Sequence, residues 1–171
     1  MDWYEKKLEI DGKTYDLNHL SPFSLNVDLP PQRDKQAISF TLKIRFSTHC
    51  VSEDRVDHPT VSFPDEGGKN RFFSFARYDL SLRLPLLLGE LPERQCYFAS
   101  SRNFLTVEIT EGDGESKNYH IYFSVKKISE GVSVLVESAY VPNNPERRSK
   151  KIRGKVILSN TYHGKRITRS R

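Results

Sequence analysis

Strict alternation of apolar and polar residues is the feature that most constrains how this chain can fold. In AISFTLKIRF (37–46) every second side chain is apolar, and the ones between are Ser, Thr, Lys and Arg. The same period of two recurs in NYHIYFSVKKI (118–128) and VSVLVESAYV (132–141). Successive side chains of a strand point to opposite faces, so each segment predicts a strand with one buried face. The short turn at Glu130-Gly131 predicts that the last two strands pair antiparallel.

One segment has helical spacing instead. Within residues 72–91, apolar side chains recur every three to four positions from Phe75 to Leu86, which predicts an amphipathic helix. Pro85 either kinks this helix or begins a second helix in its first turn. The predicted fold is therefore α+β, with a mainly antiparallel, curved sheet packed on one principal helix.

The chain of 171 residues suits a single domain. Residues 47–70 are polar and rich in Gly and Pro, so we expect a long loop with a functional or mobile role. Residues 144–171 are expected to form a basic strand pair, in which KIRGKVILSN is joined to KRIT by a turn at His163-Gly164.

The charge of the chain is concentrated at this end. Residues 144–171 hold ten lysines and arginines but one acidic residue, although the whole chain carries a net charge of only +5. A basic end on a near-neutral body indicates an anionic partner, most often nucleic acid. The predicted nucleic-acid-binding residues are Arg147, Arg148, Lys150, Lys151, Arg153, Lys155, Lys165 and Arg166.

The sequence carries no established catalytic signature, phosphate-binding loop or paired-cysteine metal motif. His49 adjoins Cys50, but neighbouring residues at a strand end point to opposite sides, and zinc ligands are spaced more regularly. We therefore predict no metal and no cofactor. Cys50 and Cys96 are expected to be free thiols, and the N-terminus lacks the apolar core of a signal peptide. These features predict a cytoplasmic protein without a membrane partner.

Four residues are candidates for acid–base and phosphate chemistry. His49 ends the clearest strand, His163 lies at a predicted turn, and Tyr140 closes a strand that reads VSVLVESAY. A histidine or a tyrosine can move a proton, and Arg77 on the predicted helix can contact a phosphate. Three of the four also have a structural interpretation: His49 as a strand cap, Tyr140 as a sheet-corner aromatic and Arg77 as a surface arginine.

A helix followed by a strand meander with Ser-Ala-Tyr at 138–140 and then basic residues resembles the RelE-like and barnase-like small microbial ribonucleases. The resemblance covers residues 71–160 and implies metal-free RNA cleavage by His, Arg, Lys, Tyr or Glu on a sheet face. The sequence thus favours a protein that binds RNA or another polyanion, with a metal-independent ribonuclease of the toxin or mobile-element type as its catalytic form. The alternative is a non-enzymatic interaction module whose basic end docks on an acidic protein partner.

Overall fold

The computed structural model describes residues 2–31, 35–54, 61–64, 68–98, 103–110, 114–144 and 150–167, with only the backbone given for 63–64 and 103–110. The strands and helices of these residues follow in chain order. They are β1 (Lys7–Ile10), β2 (Lys13–Asp16), β3 (Phe23–Leu29), β4 (Ile38–Phe46), β5 (Ser52–Glu53), β6 (Ser62–Pro64), β7 (Asn70–Phe73), α1 (Phe75–Ser81), α2 (Leu84–Gly89), β8 (Gln95–Phe98), β9 (Asn103–Thr110), β10 (Ser116–Ile128), β11 (Gly131–Tyr140), β12 (Lys151–Arg153) and α3 (Gly154–Tyr162). One-turn 3-10 helices lie at Trp3–Glu5, Asn18–Leu20, Thr48–Cys50 and Leu91–Glu93.

The main sheet has seven strands in the order β12-β8-β9-β10-β11-β4-β3. Neighbouring strands are antiparallel except β11 and β4, which run parallel with Val134 opposite Ile44. The α+β fold and the mainly antiparallel sheet are therefore confirmed. The predicted alternation is confirmed as well, because Phe40, Leu42 and Ile44 of β4 are buried while the residues between them are more exposed.

All three helices contribute to a core on one face of this sheet. Leu84 and Leu88 of α2 and Ile157 and Leu158 of α3 are buried in the same cluster as the inward residues of β4, β10 and β11. The strands β3 and β8 are five places apart in the strand order, yet β3 and Gln95 of β8 line the same groove. The sheet must therefore be strongly curved. We call the side of the sheet turned away from the helices the outer face.

The predicted single helix is divided in two. Helix α1 ends at Ser81, and α2 begins at Leu84 with Pro85 in its first turn. Pro85 therefore begins a second helix and does not kink a single one. A proline is tolerated there because the first amides of a helix have no partner within the helix. The prediction of one principal helix is wrong, since α3 is a further helix of nine residues.

The prediction of a basic strand pair over residues 144–171 is also wrong. Within the described residues 150–167 the strand is limited to Lys151–Arg153, and the chain then forms α3 up to Tyr162, with His163 after its end. Residues 145–149 and 168–171 lie outside the described residues. The buried positions of α3 are Gly154, Ile157, Leu158 and Thr161. This spacing of three, four and seven residues is that of a helix face, and it overrides the short alternation in IRGKVIL.

The predicted long loop over residues 47–70 contains regular structure. Thr48–Cys50 is a 3-10 turn, and β5, β7 and β6 form a separate three-stranded antiparallel sheet. Residues 55–60 and 65–67 lie outside the described residues, so the loop prediction is not tested for them.

Candidate functional site

The outer face carries a cross-strand row of cations and hydroxyls. Lys43 of β4 lies opposite Ser24 of β3 on one side and Ser133 of β11 on the other, and Ser133 lies opposite Lys126 of β10. Residues opposite each other in a sheet share one face. The row therefore reads Ser24, Lys43, Ser133, Lys126 across four strands.

Arg45 stands two residues beyond Lys43 on the same strand face, and these residues line a groove of about 590 Å³. Within the described part of the chain, neither Arg45 nor Lys126 forms an ion pair. Glu130 lies at the rim, where its own backbone amide, Ser129 and Lys43 hold its pKa below the ordinary range. The described lining residues therefore include three cations and one carboxylate, so the groove is a cationic surface.

Two of the predicted nucleic-acid-binding residues lie on the same face at the sheet's far edge. Lys151 is opposite Tyr97, an outer-face residue that packs with Tyr122, and Arg153 is opposite Gln95. Ile152 between them is opposite Cys96, which belongs to the core. The alternation of the strand therefore directs Lys151 and Arg153 outward.

The remaining predicted basic residues are not gathered on this strand. Lys150 precedes β12, Lys155 lies in α3, and Lys165 and Arg166 follow the opposite end of α3. Arg147 and Arg148 lie outside the described residues. Helix α3 thus separates the predicted basic surface into two groups.

Arg77 on α1 brings three of the four predicted catalytic residues together. Its Nη1 donates hydrogen bonds to the backbone carbonyls of His49 (2.9 Å) and Ser52 (2.8 Å), and its guanidinium carbon lies 4.8 Å from the ring centre of Tyr140. Its Nε lies 3.9 Å from a carboxylate oxygen of Glu53. These contacts tie α1 to the 3-10 turn after β4 and to the end of β11.

Burial lowers the pKa of Arg77, while the nearby Glu53 carboxylate opposes that shift. Arg71 stabilises the same segment, with its Nη2 donating to the carbonyl of Ser52 at 3.0 Å and its Nη1 lying 2.5 Å from Asp54. The guanidinium groups of Arg71 and Arg77 therefore both donate to the Ser52 carbonyl. Nη1 of Arg77 is used in hydrogen bonds to the main chain rather than to a ligand.

His163 does not join this group. It follows α3, and its Nδ1 donates a hydrogen bond to the carbonyl of Ser159 at 2.8 Å, while its ring meets the edge of Tyr162. Among the described residues it has no hydrogen bond or ring contact with His49, Tyr140 or Arg77.

Lys43, Arg45 and Lys126 were missed as binding candidates by reasoning from the sequence. The alternation of residues 37–46 already placed Lys43 and Arg45 on the wet face, so a signal for those two was present. Lys126 joins them only because β11 pairs with both β10 and β4, a topology that no local pattern specifies.

The prediction of two free thiols is confirmed, and both are buried. Burial raises the pKa of Cys50 and of Cys96 to about 12, from an ordinary value of 9.0. We expect neither thiol to be alkylated by iodoacetamide in the folded protein and both to be alkylated in denaturant, because only the exposed thiolate reacts. Mass spectrometry counts the added groups, and a labelled thiol in the native protein would contradict the buried positions.

The same thiols predict a loss of stability at high pH. The folded state holds each proton more tightly than the unfolded state, so unfolded chains ionise first as the pH rises through 9 toward 12. The stabilising contribution is complete below pH 9 and declines above it. Urea midpoints measured along this range check the direction, and the Cys50→Ala variant should show a shallower decline than the parent protein.

In the part of the chain that the structure describes, no three His, Cys, Asp or Glu side chains are grouped closely enough to hold a metal ion. No described helix is long and apolar enough to cross a membrane.

The fold and the site define a small α+β protein with a curved seven-stranded sheet, helices on one face and a cationic groove on the other. The chain belongs to the YjaZ family, whose family model matches residues 7–162. No curated protein and no solved structure matches the chain significantly. The resemblance to the RelE-like and barnase-like ribonucleases stays a prediction, since the family match does not test it.

Proposed function

We propose that the protein binds nucleic acid, RNA in the first place, through phosphate contacts made by the outer face of its sheet. The observation that supports this proposal is the row in which Lys43 and Lys126 flank Ser133, with Arg45 alongside. Lysine, arginine and serine side chains are the usual partners of phosphate oxygens.

The spacing of the row suits a chain of phosphates. One strand separates Lys43 from Lys126, so their Cα atoms are about 9–10 Å apart, which is two strand spacings. Long lysine side chains can then reach successive phosphates while the small Ser133 leaves room between them. Lys151 and Arg153 supply a second pair of cations on the same face.

The double variant Arg45→Ala, Lys126→Ala is expected to bind a labelled single-stranded RNA about tenfold more weakly than the parent protein, because two phosphate contacts are lost. The slope of log affinity against log salt should fall by about 1.4, at roughly 0.7 for each contact with a single strand. Fluorescence anisotropy over a salt series measures both quantities.

The matched control is Lys6→Ala with Lys13→Ala, which removes the same charge from exposed residues just before β1 and at the start of β2. The control should bind as the parent protein does. Equal loss in both variants would mean that net charge alone governs binding. No binding of RNA or DNA by the parent at low salt would refute the proposal and favour the acidic protein partner.

A metal-independent ribonuclease is the catalytic form of this proposal. The observation that supports it is that Arg77 contacts both the backbone carbonyl of His49 and the ring of Tyr140. A histidine and a tyrosine can transfer protons, and an arginine can stabilise the charge on a phosphate. His49→Ala and Tyr140→Phe should then abolish cleavage of an RNA substrate in the presence of a chelator while leaving its binding intact. Binding without cleavage by the parent protein would leave only the binding function.

We assign this function to the cytoplasm, because two free, buried thiols suit a reducing compartment.

A further inference from the structure

Strand β3 is the last strand of the main sheet, and its outer edge pairs with no strand that the structure describes. It is seven residues long, from Phe23 to Leu29. An unpaired edge presents a row of backbone amides and carbonyls that can pair with another extended chain. Natural proteins usually shield such an edge with lysine, proline or a covering element, and FSLNVDL contains neither of those residues.

A groove of about 800 Å³ runs along this edge. One wall is Leu25–Asp28 of β3, and the other is the segment 89–95, from the end of α2 through the Leu91–Glu93 turn to the first residue of β8. The groove exists because the curved sheet brings the start of β8 opposite its far edge. Four consecutive residues of β3 line the groove. Because successive side chains of a strand point to opposite faces, the groove follows the edge of the strand rather than one face.

The groove is acidic on a basic protein. Asp28, Glu90 and Glu93 are exposed on its walls, and among the described lining residues Arg94 is the one cation. Arg94 is paired with Glu90 at 2.5 Å, whereas Glu93 forms no ion pair within the described residues. Within the described residues, Asp28 and Glu93 therefore have no cationic partner, although Asp28 accepts a hydrogen bond from the hydroxyl of Ser39. The whole chain nevertheless has a net charge of +5.

We propose that this groove binds an extended, basic segment of a partner protein, which adds to β3 as a further strand. Backbone hydrogen bonds to the edge would give affinity, and lysine or arginine side chains facing Asp28 and Glu93 would give selectivity. A second copy of β3 is the poorer occupant, because it brings Asp28 and no cation to the groove. This site is separate from the cationic groove of the outer face.

The probe is a fluorescein-labelled octapeptide of alternating lysine and valine, whose binding is followed by anisotropy. Two modified peptides carry N-methyl groups on all lysines or on all valines, which blocks the amides of one peptide edge in each case. We expect one of the two to lose at least tenfold in affinity and the other to bind as the parent peptide does. Equal binding by both, or equal loss, would overturn strand addition.

The charge component is tested by Glu93→Lys against Asp79→Lys, which reverses an exposed carboxylate on α1. We expect at least a fivefold loss of peptide affinity for Glu93→Lys and no change for the control. The proposal would be overturned if both variants lost the same peptide affinity or if the parent protein did not bind the peptide. It would also be overturned if the protein self-associated with rising concentration and Glu93→Lys abolished that association. The Arg45→Ala, Lys126→Ala variant should retain peptide binding, so failure of one site is distinguishable from failure of the other.

Discussion

Replacing Gly154 with alanine is expected to lower the free energy of unfolding by about 3 kcal/mol, because the added methyl group has no room. A Cβ atom at this position would lie 1.8 Å from the carbonyl oxygen of Leu91 and 2.8 Å from its carbonyl carbon. Both atoms belong to the backbone of the 3-10 turn, so no side-chain rotation can relieve the contact. The amide of Gly154 also donates to the carbonyl of Arg94 at 2.8 Å, and this hydrogen bond docks the start of α3.

Gly89→Ala is the matched control. It ends α2, and a Cβ atom there would have no neighbour within 4 Å, so the change should be neutral or stabilising by up to about 1 kcal/mol. Urea denaturation followed by circular dichroism compares the two variants. If Gly154→Ala unfolds at the same midpoint as Gly89→Ala, the close packing of α3 on the Leu91–Glu93 turn is incorrect.

Arg77→Met is expected to lower the free energy of unfolding by about 2–3 kcal/mol. The change keeps much of the side-chain length but removes the donor shared by the carbonyls of His49 and Ser52, and it leaves Glu53 without its cation at 3.9 Å. Buried acceptors that lose a charged donor carry the cost of their desolvation. The stacking of the guanidinium over Tyr140 is lost as well.

The control for this prediction is Arg83→Met, at an exposed arginine between α1 and α2. Its effect should remain within about 0.5 kcal/mol, the usual range for a surface substitution. Thermal and urea unfolding of both variants provide the comparison. Similar stability of the two variants would show that Arg77 is not a structural brace, and it would leave the guanidinium available for a ligand.

The candidate site could be predicted from the sequence only in its separate parts. Arg77, Tyr140 and His49 were each identifiable, because each stands at the end of a strand or beside an apolar stripe. Their meeting depends on β11 ending beside the Thr48–Cys50 turn and on α1 packing across both. That arrangement joins residues far apart in the chain, and a single sequence contains no local signal for it.

By itself, the sequence determined the strands, since burial of one face requires a period of two wherever an extended chain packs against a core. It also determined the α+β class, from the periodicity of its apolar residues, and the two unbridged cysteines, from the absence of a disulfide or paired-cysteine pattern. Only the tertiary structure decided the parallel pairing of β4 with β11, which aligns Lys43 with Ser133 and Lys126. It also decided that Gly154–Tyr162 is a helix. That segment carries both a short alternation and a three-to-four spacing, and the helix is selected because Ile157 and Leu158 then reach the core while Gly154 fits against Leu91.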